Sequence, residues 1–206
     1  MRTGVHPSPR TDYAVPVNPP PHIKATMYLP ERKPNQEWLG VLIAIPEPWV
    51  SELTELRKSL GDAQGRRVPA HITLLPPTPV DKEMREAIVL HLRSVAEKHH
   101  PFQITLSGAG SFLPTSPVAF LNVSEGADEC QALAEDIRSG PLDIPLRFPY
   151  HPHATLAQNV DEATVRDAME RAEDYSATWL VPGFRLDRVE TSGIYTSVAL
   201  IDLERH

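Results

Sequence analysis

Cysteine and long apolar runs are what this sequence has least of. Cys130 is the only cysteine among 206 residues, so the chain can form no intrachain disulfide and no zinc site built from several thiolates. No apolar stretch approaches the ~20 residues that a membrane-spanning helix needs, and the N-terminus has no hydrophobic segment of the signal-peptide type. We therefore expect a cytoplasmic protein with no membrane partner.

The chain also lacks an excess of positive charge. Lys and Arg number 20 against 27 Asp and Glu, which gives a net charge of -7 at pH 7, and the basic residues are scattered. Proteins that hold long nucleic acids usually neutralise several phosphates with clustered Lys and Arg. Composition therefore favours a small nucleotide or an RNA end over duplex nucleic acid as the partner.

Several catalytic and cofactor-binding motifs are missing as well. There is no G-x-x-x-x-G-K-[ST] phosphate loop, which argues against ATP-driven ligation, and no G-x-S-x-G nucleophile elbow. The nine histidines include no H-E-x-x-H pair, and no dense carboxylate cluster accompanies them. We expect no cofactor and no metal, and a metallohydrolase remains the alternative that chelation would test.

Proline separates the first part of the chain from the rest. Eight prolines fall within residues 1–37, where apolar periodicity is weak. Because proline fixes φ and removes an amide donor, such a segment favours extended conformations over packed elements. We predict a flexible N-terminal arm over residues 1–37, with Met27, Tyr28 and Leu29 as its anchor if it packs, and a folded domain over residues 38–206.

The folded domain contains one predicted order of strands and helices that occurs twice. Alternation and helical spacing predict strands separated by amphipathic helices in each half, and Asp81 and Asp161 are placed to cap the helices that follow them. Such a duplication predicts two lobes related by a pseudo-two-fold axis. In residue numbers, the strands are 38–45, 70–75, 102–106, 118–123, 153–157, 179–186 and 198–203, and the first two helices are 48–60 and 81–99.

The duplication is clearest at two tetrapeptides, His-Ile-Thr-Leu from residue 71 and His-Ala-Thr-Leu from residue 153, which lie 82 positions apart. In a strand, residues i and i+2 project from the same face. His71 and Thr73 therefore point one way together, as do His153 and Thr155. Facing across a pseudo-two-fold axis, the two pairs would gather two imidazoles and two hydroxyls around one small space.

That set of side chains suits phosphoryl chemistry. Imidazole titrates near neutrality, so one ring can accept a proton from water while the other protonates a leaving oxygen. The hydroxyls of Thr73 and Thr155 can hydrogen-bond phosphate oxygens. A single H-x-T would most often be structural, whereas two copies at matching places in a repeat favour His71 and His153 as catalytic residues.

These residues resemble the signature of the 2H phosphoesterase superfamily, named for its paired H-x-[ST] motifs. The flanks His-Ile-Thr-Leu-Leu-Pro-Pro and His-Ala-Thr-Leu-Ala-Gln-Asn look most like its phosphoesterase branch from Gram-positive bacteria, and the resemblance covers residues 38–206. It implies an α+β, bilobal fold whose antiparallel sheets form a central cleft. It also implies hydrolysis of a cyclic phosphodiester, such as a 2′,3′-cyclic phosphate. The same site would catalyse weak 2′-5′ RNA ligation in the reverse direction. We expect the protein to be a monomer.

Other residues near the motifs invite lesser roles. Tyr150 is placed to stack on a base. The alternatives for the same task are Phe112, Tyr195 and the three tryptophans, Trp38, Trp49 and Trp179, which otherwise pack in the core. His151 shares a strand face with His153 and could contact phosphate. A non-catalytic module that binds a phosphorylated or cyclic-nucleotide ligand is the alternative of a different class, although binding alone would not require two intact H-x-T motifs.

Overall fold

Strands and α-helices alternate along the part of the chain that the computed structural model describes, residues 29–65 and 67–204. Within these residues, no helix has the length and apolar character to cross a membrane. The elements are β1 (Gln36–Ala44), α1 (Trp49–Ser59), β2 (His71–Asp81), α2 (Arg85–Ala96), β3 (Phe102–Ser111), β4 (Val118–Glu125), α3 (Ala127–Ile137), β5 (His153–Gln158), α4 (Glu162–Arg171), β6 (Ser176–Val181), β7 (Gly183–Val189) and β8 (Tyr195–Asp202).

The strands form one eight-stranded sheet in the order β6-β3-β4-β5-β2-β1-β7-β8. Every neighbouring pair is antiparallel. The order is symmetric about the β5–β2 junction, so that β2 corresponds to β5, β1 to β4, β7 to β3 and β8 to β6. The predicted α+β class, with two related halves and antiparallel strands, is confirmed.

The two halves do not each consist of one repeat. β3 follows the first repeat in sequence but pairs with β4 in the second half, and β7 comes late in the chain but pairs with β1 in the first half. The first half of the sheet therefore contains β7 and β8 from the end of the chain, and the second half contains β3 from the earlier part of the chain. This exchange ties the halves together along their length, although they share only one strand-to-strand junction.

The helices cover one face of the sheet and leave the other face to form the cleft. At the junction, the residues between the histidines and threonines point to the helical face, where Ile72 and Leu74 of β2 and Ala154 and Leu156 of β5 are fully buried. α3 packs on β2 and β4, and α4 packs on β3, β4 and β5. The apolar alternation of the motifs thus anchors them in the core, and it turns His71 outward.

Two details of the predicted elements are wrong. The single strand predicted over 179–186 is two strands, because the chain passes at Pro182 from β6, which pairs with β3, to β7, which pairs with β1. Asp161 caps α4 by accepting a hydrogen bond from the Thr164 amide at 2.8 Å, as predicted. Asp81, in contrast, makes no side-chain cap, since its carboxylate accepts from the Asn35 amide group at 3.1 Å.

The residues of the predicted arm that the structure describes, from Leu29 onward, pack against the first strand. The Trp38 indole donates a hydrogen bond to the Pro30 carbonyl at 2.8 Å, and the Arg32 guanidinium lies 4.4 Å from the centre of the indole ring. Of the predicted anchor, Leu29 is half-buried, whereas Met27 and Tyr28 lie outside the described residues. The division of the chain at residue 37 stays a prediction, and strand β1 already begins at Gln36.

Candidate active site

The two H-x-T motifs meet at the centre of the sheet. Ile72 of β2 is paired with Ala154 of β5, and the antiparallel register then places each histidine beside the threonine of the other motif. The four side chains form a square on the cleft face, with the backbones of the two histidines on a diagonal of roughly 7–8 Å. The structure thus brings together every residue of the predicted catalytic and phosphate-binding set, all half-buried: His71, Thr73, His153 and Thr155.

Both imidazoles are held in the same way by the backbone. Nδ1 of His71 lies 2.9 Å from the Pro69 carbonyl oxygen, and Nδ1 of His153 lies 2.7 Å from the His151 carbonyl oxygen. A carbonyl oxygen can only accept, so each Nδ1 carries its hydrogen and donates it. Each ring is thereby fixed in the tautomer whose Nε2 is left for a ligand, as base when neutral and as donor when protonated.

Burial favours the neutral form of both rings. It lowers the pKa of His71 from 6.5 to about 4, and the positive charges of Arg57 and His153 act in the same direction. The Pro69 carbonyl and the Asp187 carboxylate oppose this shift. Burial also lowers the pKa of His153, with the neighbouring His151 acting in the same sense. The free site at neutral pH therefore carries two neutral imidazoles.

An aromatic wall stands beside His153 in the second half. The centre of the His153 ring lies 5.1 Å from that of Phe112 and 5.2 Å from that of Phe120. The exposed His151 ring is nearly parallel to it, at 5.9 Å and 18°. Gly110 makes room for this packing, because a Cβ atom there would lie 2.7 Å from the Phe120 ring. The wall offers a flat, apolar surface next to His153.

The base-stacking residue predicted first does not belong to this wall. Tyr150 packs against the core with its hydroxyl buried, and the Arg138 guanidinium lies 5.6 Å from its ring centre. Burial raises the pKa of the Tyr150 hydroxyl. Of the alternatives, Phe112 contacts His153, and Tyr195 contacts His71 with ring centres 5.4 Å apart.

A buried ion pair supports His71 from behind. Arg57, at the end of α1, donates to the Asp62 carboxylate from Nε at 3.0 Å and from Nη2 at 2.9 Å, and to the Val68 carbonyl from Nη1 at 3.0 Å. Neither charged side chain is more than 3% exposed. Val68 directly precedes Pro69, so this pair fixes the loop whose carbonyl holds the His71 ring.

Polar residues of β7 extend the site on the side of the first half. Leu42 of β1 is paired with Thr73 on one side and with Arg185 on the other, so these side chains share the cleft face. Arg185 forms an ion pair with Asp187, whose carboxylate is fully buried. Sequence analysis missed both residues because it merged β6 and β7. The i, i+2 spacing of Arg and Asp on a strand is the signal that would have revealed them.

Residues 29–65 and 67–204 contain several His, Asp and Glu side chains that could act as metal ligands. No group of three or more His, Cys, Asp and Glu side chains there is arranged to hold a metal ion.

Comparison with known proteins places the motifs in a family. Two Bacillus proteins, each named "Putative phosphoesterase", match over 133 residues, which are 65% of this chain and 76% of theirs. The protein of Bacillus cytotoxicus is 32% identical and that of Bacillus cereus is 30% identical.

Solved structures show the same fold. The apo crystal structure of Escherichia coli LigT has a TM-score of 0.60 at 21% identity and covers 83% of this chain and 99% of its own. The complex of LigT with NADP+ has a TM-score of 0.58 at 22% identity, covering 82% and 99%. The model of the 2′-5′ RNA ligase superfamily matches residues 45–191, which include both H-x-T motifs. The resemblance to 2H phosphoesterases is thereby confirmed, and the chain belongs to the 2′-5′ RNA ligase superfamily.

Proposed function

We propose that this protein hydrolyses a cyclic phosphodiester, a 2′,3′-cyclic phosphate on a nucleotide or RNA end, without a metal ion. The observation that carries the proposal is the square at the β2–β5 junction. It presents two imidazoles whose Nδ1 atoms are bound to backbone carbonyls, so that Nε2 is the nitrogen of each ring that can meet a ligand. Two such rings on opposite corners suit a displacement in which water enters on one side of phosphorus and an alkoxide leaves on the other.

The reaction follows from that arrangement. One histidine takes a proton from water as the water oxygen bonds to phosphorus, and the other protonates the ribose oxygen as its bond to phosphorus breaks. The product is a phosphomonoester next to a free hydroxyl group. The histidine that acted as base now carries a proton, and the histidine that acted as acid has lost its own. Thr73 and Thr155 donate hydrogen bonds to the phosphate oxygens. Run in reverse, the same steps would join RNA ends weakly through a 2′-5′ linkage.

The lowered pKa values bear on how the acid acquires its proton. Because both imidazoles are neutral in the free site at neutral pH, the general acid must be protonated as substrate binds. A phosphate anion in contact with Nε2 favours the imidazolium and raises its pKa. The substrate therefore supplies the charge that makes one ring an acid, and the other ring stays a base.

Relatives support this choice of substrate class. LigT of Escherichia coli has been crystallised with 3′-AMP and with phosphate, and the Bacillus relatives are named for phosphoesterase activity. A phosphate group over the square and a base against the Phe112 wall would fit a nucleotide of this kind.

The test is turnover of 2′,3′-cyclic mononucleotides by wild-type protein and by His71→Ala and His153→Ala. We expect each substitution to lower the rate by about 10²–10⁴-fold, and the double variant to lose far less than the product of the two. His91→Ala is the control, because His91 also bonds to a backbone carbonyl, that of Ile137 at 3.1 Å, but lies on α2. Near-full activity in either single variant would refute the two-histidine mechanism.

Two further outcomes separate the alternatives. Activity that survives exhaustive chelation agrees with the proposal, whereas loss of turnover together with stoichiometric zinc would favour a metallohydrolase. Tight binding of cyclic nucleotides without turnover by the wild-type protein would favour the binding module.

A further inference from the structure

The two ends of the cleft differ in chemistry although the strand order is symmetric. In the first half, Arg185 is paired with Leu42, and Leu42 with Thr73. In the second half, the corresponding row ends at Gly110, which is paired with Phe120. A cation therefore stands where the other half has a glycine beneath an aromatic wall. The cleft has an arginine–aspartate ion pair at one end and is flat and apolar at the other.

The Arg185 guanidinium is pre-positioned. Its Nε donates to Asp187 Oδ1 at 3.1 Å, and its Nη2 contacts Asp187 Oδ2. Among the described residues, the hydrogen bonds of this side chain go to Asp187, so its Nη1 edge is left for an acceptor in the cleft. The side chain is 32% exposed while the Asp187 carboxylate is 0% exposed. The buried carboxylate orients a guanidinium that solvent, and hence a ligand, can reach.

The position of this guanidinium relative to the histidines sets which part of a nucleotide it can meet. β7 is separated from β2 by β1 alone, so the backbone of Arg185 lies roughly 10 Å from that of Thr73. In a nucleotide with a 2′,3′-cyclic phosphate, the base leaves the ribose at C1′ and the 5′ substituent leaves through C4′, on opposite flanks of the cyclic phosphate. A base on the Phe112 wall therefore directs the 5′ substituent toward the Arg185 end.

We propose that Arg185, oriented by Asp187, binds the phosphate on the 5′ side of the terminal nucleotide. This subsite rests on the proposed function and adds a specificity determinant to it. Guanidinium remains charged at all working pH values and presents a planar set of donors that matches phosphate oxygens. A 5′-phosphorylated terminus or an internucleotide phosphate offers such an acceptor, whereas a cyclic mononucleotide with a free 5′ hydroxyl does not.

The experiment compares three substrates that share the same cyclic phosphate. They are a 2′,3′-cyclic mononucleotide, the same compound with a 5′ phosphate, and a dinucleotide that ends in the cyclic phosphate. The readout is the ratio of kcat/KM for each phosphate-bearing substrate to kcat/KM for the plain mononucleotide. Because both measurements use the same preparation, the ratio is insensitive to the folded fraction and to the state of the histidines.

We expect Arg185→Gln to lower this ratio by about 10- to 100-fold, the range for one lost hydrogen bond to a charged group. Arg185→Gln combined with Asp187→Asn should do the same without leaving a buried carboxylate unpaired. Arg188→Gln is the matched control and should keep the wild-type ratio. Arg188 lies on the same strand opposite the buried Leu39, with its guanidinium 3.7 Å from Glu190.

Different results distinguish failure of this subsite from failure of the proposed function. A ratio near one in the wild-type protein, or an unchanged ratio in both Arg185 variants, would overturn the subsite while leaving the two-histidine hydrolysis intact. If the Arg185 variants lower the kcat/KM ratio for the dinucleotide only, the subsite is restricted to internucleotide phosphates. If no substrate is hydrolysed, the same ratio taken from dissociation constants of the 3′-phosphorylated forms tests the subsite without turnover.

Discussion

The lowered pKa of His71 couples the stability of the fold to pH. The pKa is about 4 in the folded protein and returns to about 6.5 in the unfolded chain. Between those values the unfolded chain binds more protons, so the free energy of unfolding decreases as the pH falls. At about 1.4 kcal/mol per pKa unit, protonation of His71 removes about 3 kcal/mol of stability by pH 4 that is present at pH 7.5.

Replacing His71 with asparagine removes this dependence and keeps the local contact. The Asn amide can donate to the Pro69 carbonyl in place of Nδ1–H, and it does not titrate. We expect His71→Asn and wild type to have similar free energies of unfolding at pH 7.5. The variant should then become progressively more stable than wild type, by about 3 kcal/mol at pH 4. Urea unfolding followed by circular dichroism at several pH values measures the difference.

A control at the neighbouring position makes the result interpretable. Thr73→Val alters the same square without changing a titrating group, so its stability should run parallel to that of wild type across the pH range. If the wild-type and His71→Asn curves are also parallel from pH 7.5 to pH 4, the imidazole is as well solvated in the folded protein as in the unfolded chain. Burial in the fold would then not lower the pKa of His71.

Four further results are expected. The alkaline limb of the pH profile of kcat should lie at higher pH than that of kcat/KM, since bound phosphate raises the pKa of the acid. Arg57→Met should cost about 3–5 kcal/mol in urea unfolding because it strands a buried carboxylate, and adding Asp62→Leu should recover most of the loss. Phe112→Ala should weaken nucleotide binding by about 1–3 kcal/mol in calorimetry, and equal affinities would show that the wall binds no base. Removal of residues 1–28 should leave the melting temperature within a few degrees of the full chain, whereas removal through residue 35 should lower it further by exposing Trp38.

Much of the fold and the centre of the site followed from local patterns. The i, i+2 spacing of His71 and Thr73, with Ile72 between them, required that the two polar groups share one face and that Ile72 point to the core. Those alternations are properties of a strand itself and need no knowledge of its neighbours. The repeat at 82 residues then predicted that the second motif would have the same environment.

The features that the sequence did not predict also have local causes. One predicted strand hid the change of partner at Pro182, because an apolar run shows no break in periodicity where the chain passes from one strand partner to another. Tyr150 was assigned to the cleft by its nearness to His153 in sequence, yet it precedes the strand and packs into the core.

Only the tertiary structure decided what surrounds the histidines. Leu42 aligns Thr73 with Arg185, a residue 112 positions farther along the chain, and Gly110 admits the Phe120 ring beside His153. Such neighbours are set by strand order and register, which depend on the packing of the whole sheet and on the exchange of β3 and β7 between its halves. The sequence therefore determined which groups could do the chemistry. The register of strands distant in sequence determined that one end of the cleft is aromatic and that the other carries an arginine held by a buried aspartate.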